Sequence, residues 1–170
     1  MPRRENDFYP TTDNNAIAKL LEHWNIFHDA TIFECCCGEG HLVKQLESQG
    51  FYVYRGDITS VYHPFDATIP EHWKYYKTID YTITNPPFNK VMEILPLAKK
   101  HSKYGVAMLL GLNFLEPCHN RIDWLKDNPI SKIISIPRIS YTGDGKTAPR
   151  STAWFVWDKT TTIQRIVITR

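Results

Sequence analysis

Along this chain, short runs of apolar residues alternate with segments whose apolar positions recur every three or four residues. The first pattern predicts strands buried on both faces, the second amphipathic helices. Residues 13–27 carry Ile17, Leu20, Leu21 and Trp24 on one helical face, with Thr12 or Asp13 placed to cap it. A strand is expected over 31–36, then a turn at Gly38-Glu39-Gly40, then a helix to about Gln49, ended by Gly50. Residues 51–55 read as a second strand, closed by Gly56-Asp57, and a short strand is expected near Phe65. Further strands are predicted over 79–84, 104–110, 130–136, 153–157 and 163–169, and helices over 91–100 and from Pro117 to about Lys126.

Strands alternating with helices imply an α/β fold with a largely parallel sheet. No repeat, low-complexity tract or linker interrupts residues 1–170, so one domain without a separate target-recognition domain is expected. No apolar run approaches the roughly 18 residues of a membrane helix, and the start, MPRRENDFYP, lacks the apolar core of a signal peptide. Cytoplasm is the expected location, a host's cytoplasm if the chain is viral. Cys35, Cys36 and Cys37 are consecutive and cannot form ordinary mutual disulfides, which fits a reducing compartment. Charge changes the picture only near the end. Residues 1–137 hold 14 Lys and Arg against 16 Asp and Glu, a balance of −2; residues 138–170 hold 6 against 2, a balance of +4. A basic segment on a neutral body suits one face that meets phosphates.

The sequence TIFECCCGEGHLVKQL sets Gly-x-Gly between a strand and a helix. Glycine permits the tight turn and a close approach of ligand to backbone, and the helix start favours an anionic group. Asp57, 17 residues after Gly40, ends the next strand, where its carboxylate can accept hydrogen bonds from both hydroxyls of a ribose. An adenosine-containing cofactor is implied. The third glycine of a dinucleotide fingerprint is absent, which favours a cofactor without a pyrophosphate. S-adenosyl-L-methionine has the ribose, a carboxylate and a positive sulfonium. Glu34 would bring negative charge towards that sulfonium.

The sequence YTITNPPFNK ends an apolar run at Asn85-Pro86-Pro87-Phe88. Each proline holds the residue before it out of the helical region, so the backbone is stiff and extended. The Asn85 side-chain oxygen and the Pro86 carbonyl can then converge as two acceptors. Two acceptors suit an exocyclic amine with two N–H donors, and Phe88 can stack on the attached ring for roughly 1–3 kcal/mol. Gripping both protons raises electron density on a nitrogen whose lone pair is otherwise delocalised, so positioning supplies most of the catalysis.

Taken together, Asn-Pro-Pro-Phe after a strand, Glu-x-x-x-Gly-x-Gly before it and the acid after the second strand resemble the amino-methyltransferases, most closely the adenine-N6 DNA methyltransferases. The opening DFYPTTDNNAIAKLL is similar to the segment that wraps the cofactor there, with Phe8, Tyr9, Pro10 and Thr11 matching. Phe65-Asp66 looks like the acid that meets the adenine amine, and PRISYTGDGKTAPRSTAWFVW is similar to the closing hairpin of small stand-alone enzymes often carried by phages. The resemblance implies a Rossmann-like class I methyltransferase with an antiparallel strand added by the last hairpin. It implies Asn85, Pro86, Pro87 and Phe88 as the catalytic segment. Cys35, Ile58 and Asn85 complete the expected cofactor contacts. Cys35 stands where the family most often has proline. The motif specifies amino-group methylation without naming the amine, since RNA and protein-glutamine methyltransferases share it. DNA is the expected partner, RNA the alternative; a cofactor-binding subunit that works through a partner is a third reading, and a homo-oligomer stays open.

Arg138, Lys146 and Arg150 lie on the long connection between Pro137 and Ser151, where basic side chains suit phosphate contacts. No metal is expected, because consecutive cysteines on a strand point to opposite faces. Pro117-Cys118 reads as a helix start with a buried cysteine, and His119 as a surface histidine. Trp73, Tyr75 and Tyr76 could stack on bases or pack in the core; Trp154 and Trp157 suit the core or faces of the last hairpin.

Overall fold

A computed structural model describes residues 11, 15–62, 64–137 and 151–169. Its strands are β1 (Thr31–Glu34), β2 (Tyr52–Arg55), β3 (Ile79–Thr84), β4 (Ser102–Gly111), β5 (Lys132–Ser135), β6 (Thr152–Asp158) and β7 (Arg165–Ile168). Its helices are α1 (Asn15–His23), α2 (His41–Ser48), α3 (Pro70–Trp73), α4 (Val91–His101) and α5 (His119–Asp127). One sheet holds all seven strands of the described residues in the order β2-β1-β3-β4-β6-β5-β7. The pairs β1–β2, β1–β3, β3–β4 and β5–β7 are parallel; β6 runs antiparallel to both β4 and β5. The expected α/β, mainly parallel sheet is therefore present, and its antiparallel member is β6, inserted between β4 and β5.

Both sheet faces are covered, which is why the central strands read as continuous apolar runs. Side chains alternate between two cores. Ile32, Ala107, Leu109, Trp154 and Val156 join Ile17 and Leu20 of α1 and Leu42 and Leu46 of α2 on one face. Phe33, Val106, Met108, Phe155 and Trp157 join Trp73 of α3 and Ile94 and Leu95 of α4 on the other. Trp154 is anchored as well as buried, its indole N–H donating to the Ala16 carbonyl at 2.7 Å. Trp154, Trp157 and Trp73 are thus core residues, whereas Tyr75 is 81% exposed.

Three expectations need correction. The helix expected over 13–27 stops at His23. Lys132 reaches the His23 carbonyl with its Nζ, and Trp24 turns its indole N–H to Asp158 at 3.0 Å, so the chain leaves the helix here. No strand forms near Phe65 among the described residues. The Phe65 amide bonds the Asp57 carbonyl, the Asp66 carboxylate folds back on Thr68, and the Phe65 ring lies 4.9 Å from that of Phe33. The backbone groups are spent on turns, leaving no ladder to extend. Cys118 is exposed, because it takes the extended N-cap position of α5. The proposed caps of α1, Thr12 and Asp13, lie outside the described residues.

Candidate active site

The site forms where β1, β2 and β3 end, the usual ligand crevice of an open α/β sheet. Beyond β1 the chain turns sharply: Cys37 N–H donates to the Gly56 carbonyl at 2.9 Å, and Gly40 N–H to the Cys37 carbonyl at 2.7 Å. Gly40 caps α2 with φ of 77°, a left-handed conformation that favours glycine, and a Cβ added there would meet no atom of the described residues within 4 Å. Among the described residues, nothing crowds the helix start at Gly40. Gly56 is glycine for the opposite reason. A Cβ would come within 2.8 Å of the Phe65 ring and 3.0 Å of the Phe33 ring.

Asp57 is half-buried and ties the ends of β1 and β2 together. Its Oδ2 accepts the Gly38 N–H at 2.7 Å, while Oδ1 accepts the Thr59 N–H and hydroxyl. Each carboxylate oxygen accepts about two bonds, so Oδ2 keeps capacity for a hydroxyl. Ile58 is 61% exposed, an apolar side chain presented next to that carboxylate. Asp66 uses Oδ1 on Thr68, and its backbone N–H donates to His72 Nδ1 at 2.9 Å.

Glu34 is buried at the end of β1. Its Oε1 accepts the Cys36 N–H at 3.0 Å and the Thr84 hydroxyl, and the Asn85 backbone amide adds a third donor. Burial outweighs these bonds and pushes the carboxyl up to about 8. Cys35 is buried beside it. Strand β1 ends before the cysteines, so strict alternation does not govern them, and the sulfurs of Cys35 and Cys36 lie 3.9 Å apart. Burial and the neighbouring Glu34 push the Cys37 thiol up to about 12, which keeps it inert.

Asn85-Pro86-Pro87-Phe88 follows β3 directly. Pro87 is extended, with φ of −59° and ψ of 124°, and Phe88–Lys90 makes a short 3-10 turn. The Pro86 carbonyl accepts none of the hydrogen bonds among the described residues. Asn85 donates its Nδ2 to Thr11 Oγ1 at 3.0 Å. Glu34, Cys35, Gly38, Gly40, Asp57, Asn85, Pro86, Pro87 and Phe88 are thus gathered on the ends of three neighbouring strands and the turns after them, and Thr11, ahead of α1, joins them through Asn85. Phe8, Tyr9, Pro10, Arg138, Lys146 and Arg150 lie outside the described residues.

The seven-stranded order with one antiparallel strand, and a glycine turn opposite a motif after the third strand, can be set beside solved structures. The fold is that of a class I, Rossmann-like methyltransferase. A methyltransferase subunit of a type I restriction-modification system from Streptococcus thermophilus superposes with a TM-score of 0.68 at 14% identity, over 95% of this chain and 46% of that one. A Listeria monocytogenes protein assigned to the class I S-adenosylmethionine-dependent methyltransferases gives 0.68 at 11% identity, over 96% and 65%. A Pyrococcus horikoshii protein assigned as an RNA methyltransferase gives 0.59 at 14% identity, over 84% and 80%. This chain therefore spans less than two thirds of the first two. No protein-family model matches the sequence. No curated protein matches it either.

Within this methyltransferase fold, sequence reading missed Thr84 and Gln45. Thr84 is a polar residue buried at the last position of an apolar strand, and Gln45 one set among the buried Leu42, Val43 and Leu46 of α2. A polar residue in an apolar stripe was the available signal for both.

Proposed function

We propose that this chain transfers a methyl group from S-adenosyl-L-methionine to the N6 amine of adenine in DNA. The observation that carries the reading is the junction at Glu34 and Asn85. The acid that ends β1 accepts hydrogen bonds from Thr84 and from the backbone of the first residue of the Asn-Pro-Pro-Phe segment, so the two halves of a transfer site abut. The residues fit the cofactor: open space over Gly40, spare acceptor capacity on Asp57, the exposed Ile58 for an adenine face, and Asp66 for its amine. Glu34 lies where a positive charge would be welcome. Phe8, Tyr9, Pro10 and Thr11 would close over the same site.

When bound, S-adenosylmethionine supplies an electrophilic methyl group. The chain's own part is to hold and orient the amine. Asn85 Oδ1 and the Pro86 carbonyl accept its two N–H groups, which raises electron density on the nitrogen. Phe88 lies against the ring, and the base is taken from a single strand or flipped from a duplex. The proton shed by the methylated nitrogen passes to solvent, since the nitrogen's acidity rises once it carries the extra bond. Arg138, Lys146 and Arg150 would meet phosphates. No helix among the described residues is long and apolar enough to cross a membrane.

The test is incubation with methyl-labelled cofactor and separate DNA, RNA and protein substrates, followed by nucleoside analysis. Label in N6-methyladenine of DNA is the expected result. Label in RNA alone would favour the second reading, supported by the likeness to the Pyrococcus horikoshii protein. Label in protein alone, or in none, would overturn the proposal.

A further inference from the structure

The Asn85 amide does not stand alone. Thr11 is buried, 3% exposed, and its hydroxyl accepts the Asn85 Nδ2 at 3.0 Å. Thr11 is itself held: Gln45 of α2 donates its Nε2 to the Thr11 carbonyl at 2.9 Å. Gln45 is also buried, and its Oε1 accepts no hydrogen bond among the described residues. A buried amide with an orphaned oxygen is costly, and an apolar side chain would fill the same place in this stripe without that cost. What glutamine alone provides here is the bond to Thr11.

We infer that Thr11 is a positioning residue, seated by Gln45, whose hydroxyl anchors the Asn85 amide by its Nδ2. This rests on the reading of Asn85 as the acceptor for the target amine. The amide has two ends that are nearly alike in shape and opposite in chemistry. Turned one way, it presents an oxygen to a substrate N–H; turned the other, it presents N–H against N–H. Holding Nδ2 on Thr11 Oγ1 points Oδ1 the other way before any substrate arrives. The orientation is preorganised from α2, the helix that also starts at the glycine turn, so one helix supports both halves of the site.

The bond can be read without catalysis. In protein with labelled side-chain amides, the Asn85 NH2 pair is identified by its disappearance in Asn85→Asp. Thr11→Val keeps the shape and removes the hydroxyl. The Asn85 amide protons should then exchange with solvent roughly five- to tenfold faster, as for one lost hydrogen bond. Thr11→Ser should restore slow exchange. Gln45→Leu should speed exchange in the same direction while thermal stability holds or rises, a combination that a purely structural role would not give. With turnover as a second readout, at saturating cofactor, Thr11→Val should lower kcat by about tenfold with KM for the target within about twofold. Unchanged amide exchange in Thr11→Val overturns the inference, whatever the protein methylates. Should Thr11→Val fail to fold, unchanged exchange in Gln45→Leu overturns it equally. Faster exchange with undiminished turnover overturns instead the role given to Asn85, and leaves the bond itself standing.

Discussion

The ends of β1 and β3 and the end of β2 lie side by side, yet they are built on opposite plans. At β1 and β3, Glu34, Thr84, Thr11 and Asn85 are buried or half-buried and bond to one another across long stretches of chain. At β2, Asp57 bonds mainly to its own neighbourhood, Thr59, and to one backbone amide of the glycine turn; Asp66 likewise folds onto Thr68. The first region is oriented by tertiary contacts, the second largely by local turns. The difference suits the tasks proposed for them. An amide that must present the right end to a reacting amine needs a partner that cannot rotate away. A carboxylate that accepts hydroxyls needs only to be near the surface with a lone pair to spare.

Asn85→Ala strikes the first region hardest. Turnover should fall by about 100-fold or more, the scale of losing one preorganised polar contact to the reacting group. Cofactor affinity should hold nearly constant by calorimetry. Loss of cofactor binding with little change in turnover at saturation would move Asn85 out of the target pocket.

Asp57→Ala tests the second. Because the carboxylate holds Gly38 as well as Thr59, its removal should weaken cofactor binding and loosen the turn together. The cost in each should be roughly 1–3 kcal/mol, measured by calorimetry and by denaturant unfolding. Asp57→Asn keeps an acceptor for Gly38 and should recover most of the stability but less of the affinity. Equal affinity in a folded Asp57→Ala protein would remove the ribose role.

Gly56→Ala sharpens the comparison without touching either carboxylate. The added methyl meets the rings of Phe65 and Phe33 at 2.8 and 3.0 Å. Overpacking of this kind costs roughly 1–3 kcal/mol, which should lower the melting temperature by several degrees and weaken cofactor binding through the displaced Asp57.

How much of this could be read from the sequence follows the same division. The strands of the central sheet announce themselves as buried runs, and the second region is local, so Gly38, Gly40 and Asp57 are legible from spacing. The Asn-Pro-Pro-Phe segment is legible because proline stiffens its own neighbourhood. What joins these pieces is not. Thr84 meets Glu34 across 50 residues and Asn85 meets Thr11 across 74, and no periodicity encodes such pairs. Phe65 misleads for a related reason. Its apolar character reflects ring packing against Phe33 and Trp73, not a place in a strand.

A slope with pH, and no loss at a fixed pH, is expected from Glu34, an acid at the site lifted strongly by burial. Its carboxyl is pushed from an ordinary 4.5 up to about 8 in the folded protein. In the unfolded chain it would ionise in the ordinary range. Between about 4.5 and about 8 the folded state therefore holds the extra proton, so this group's contribution to stability falls as pH rises through that window and is flat outside it. A cation placed beside Glu34 reverses the preference, because it favours the ionised form. Cofactor binding near neutral pH should then expel a proton, and affinity should rise with pH up to about 8, by at most about tenfold per unit, before levelling. Calorimetry in two buffers of different ionisation enthalpy counts the proton directly. Glu34→Gln should abolish both the proton release and the slope while keeping the bonds from Cys36 and Thr84. A slope that survives in Glu34→Gln would mean that the proton leaves from elsewhere, and that Glu34 serves only to tie β1 to β3.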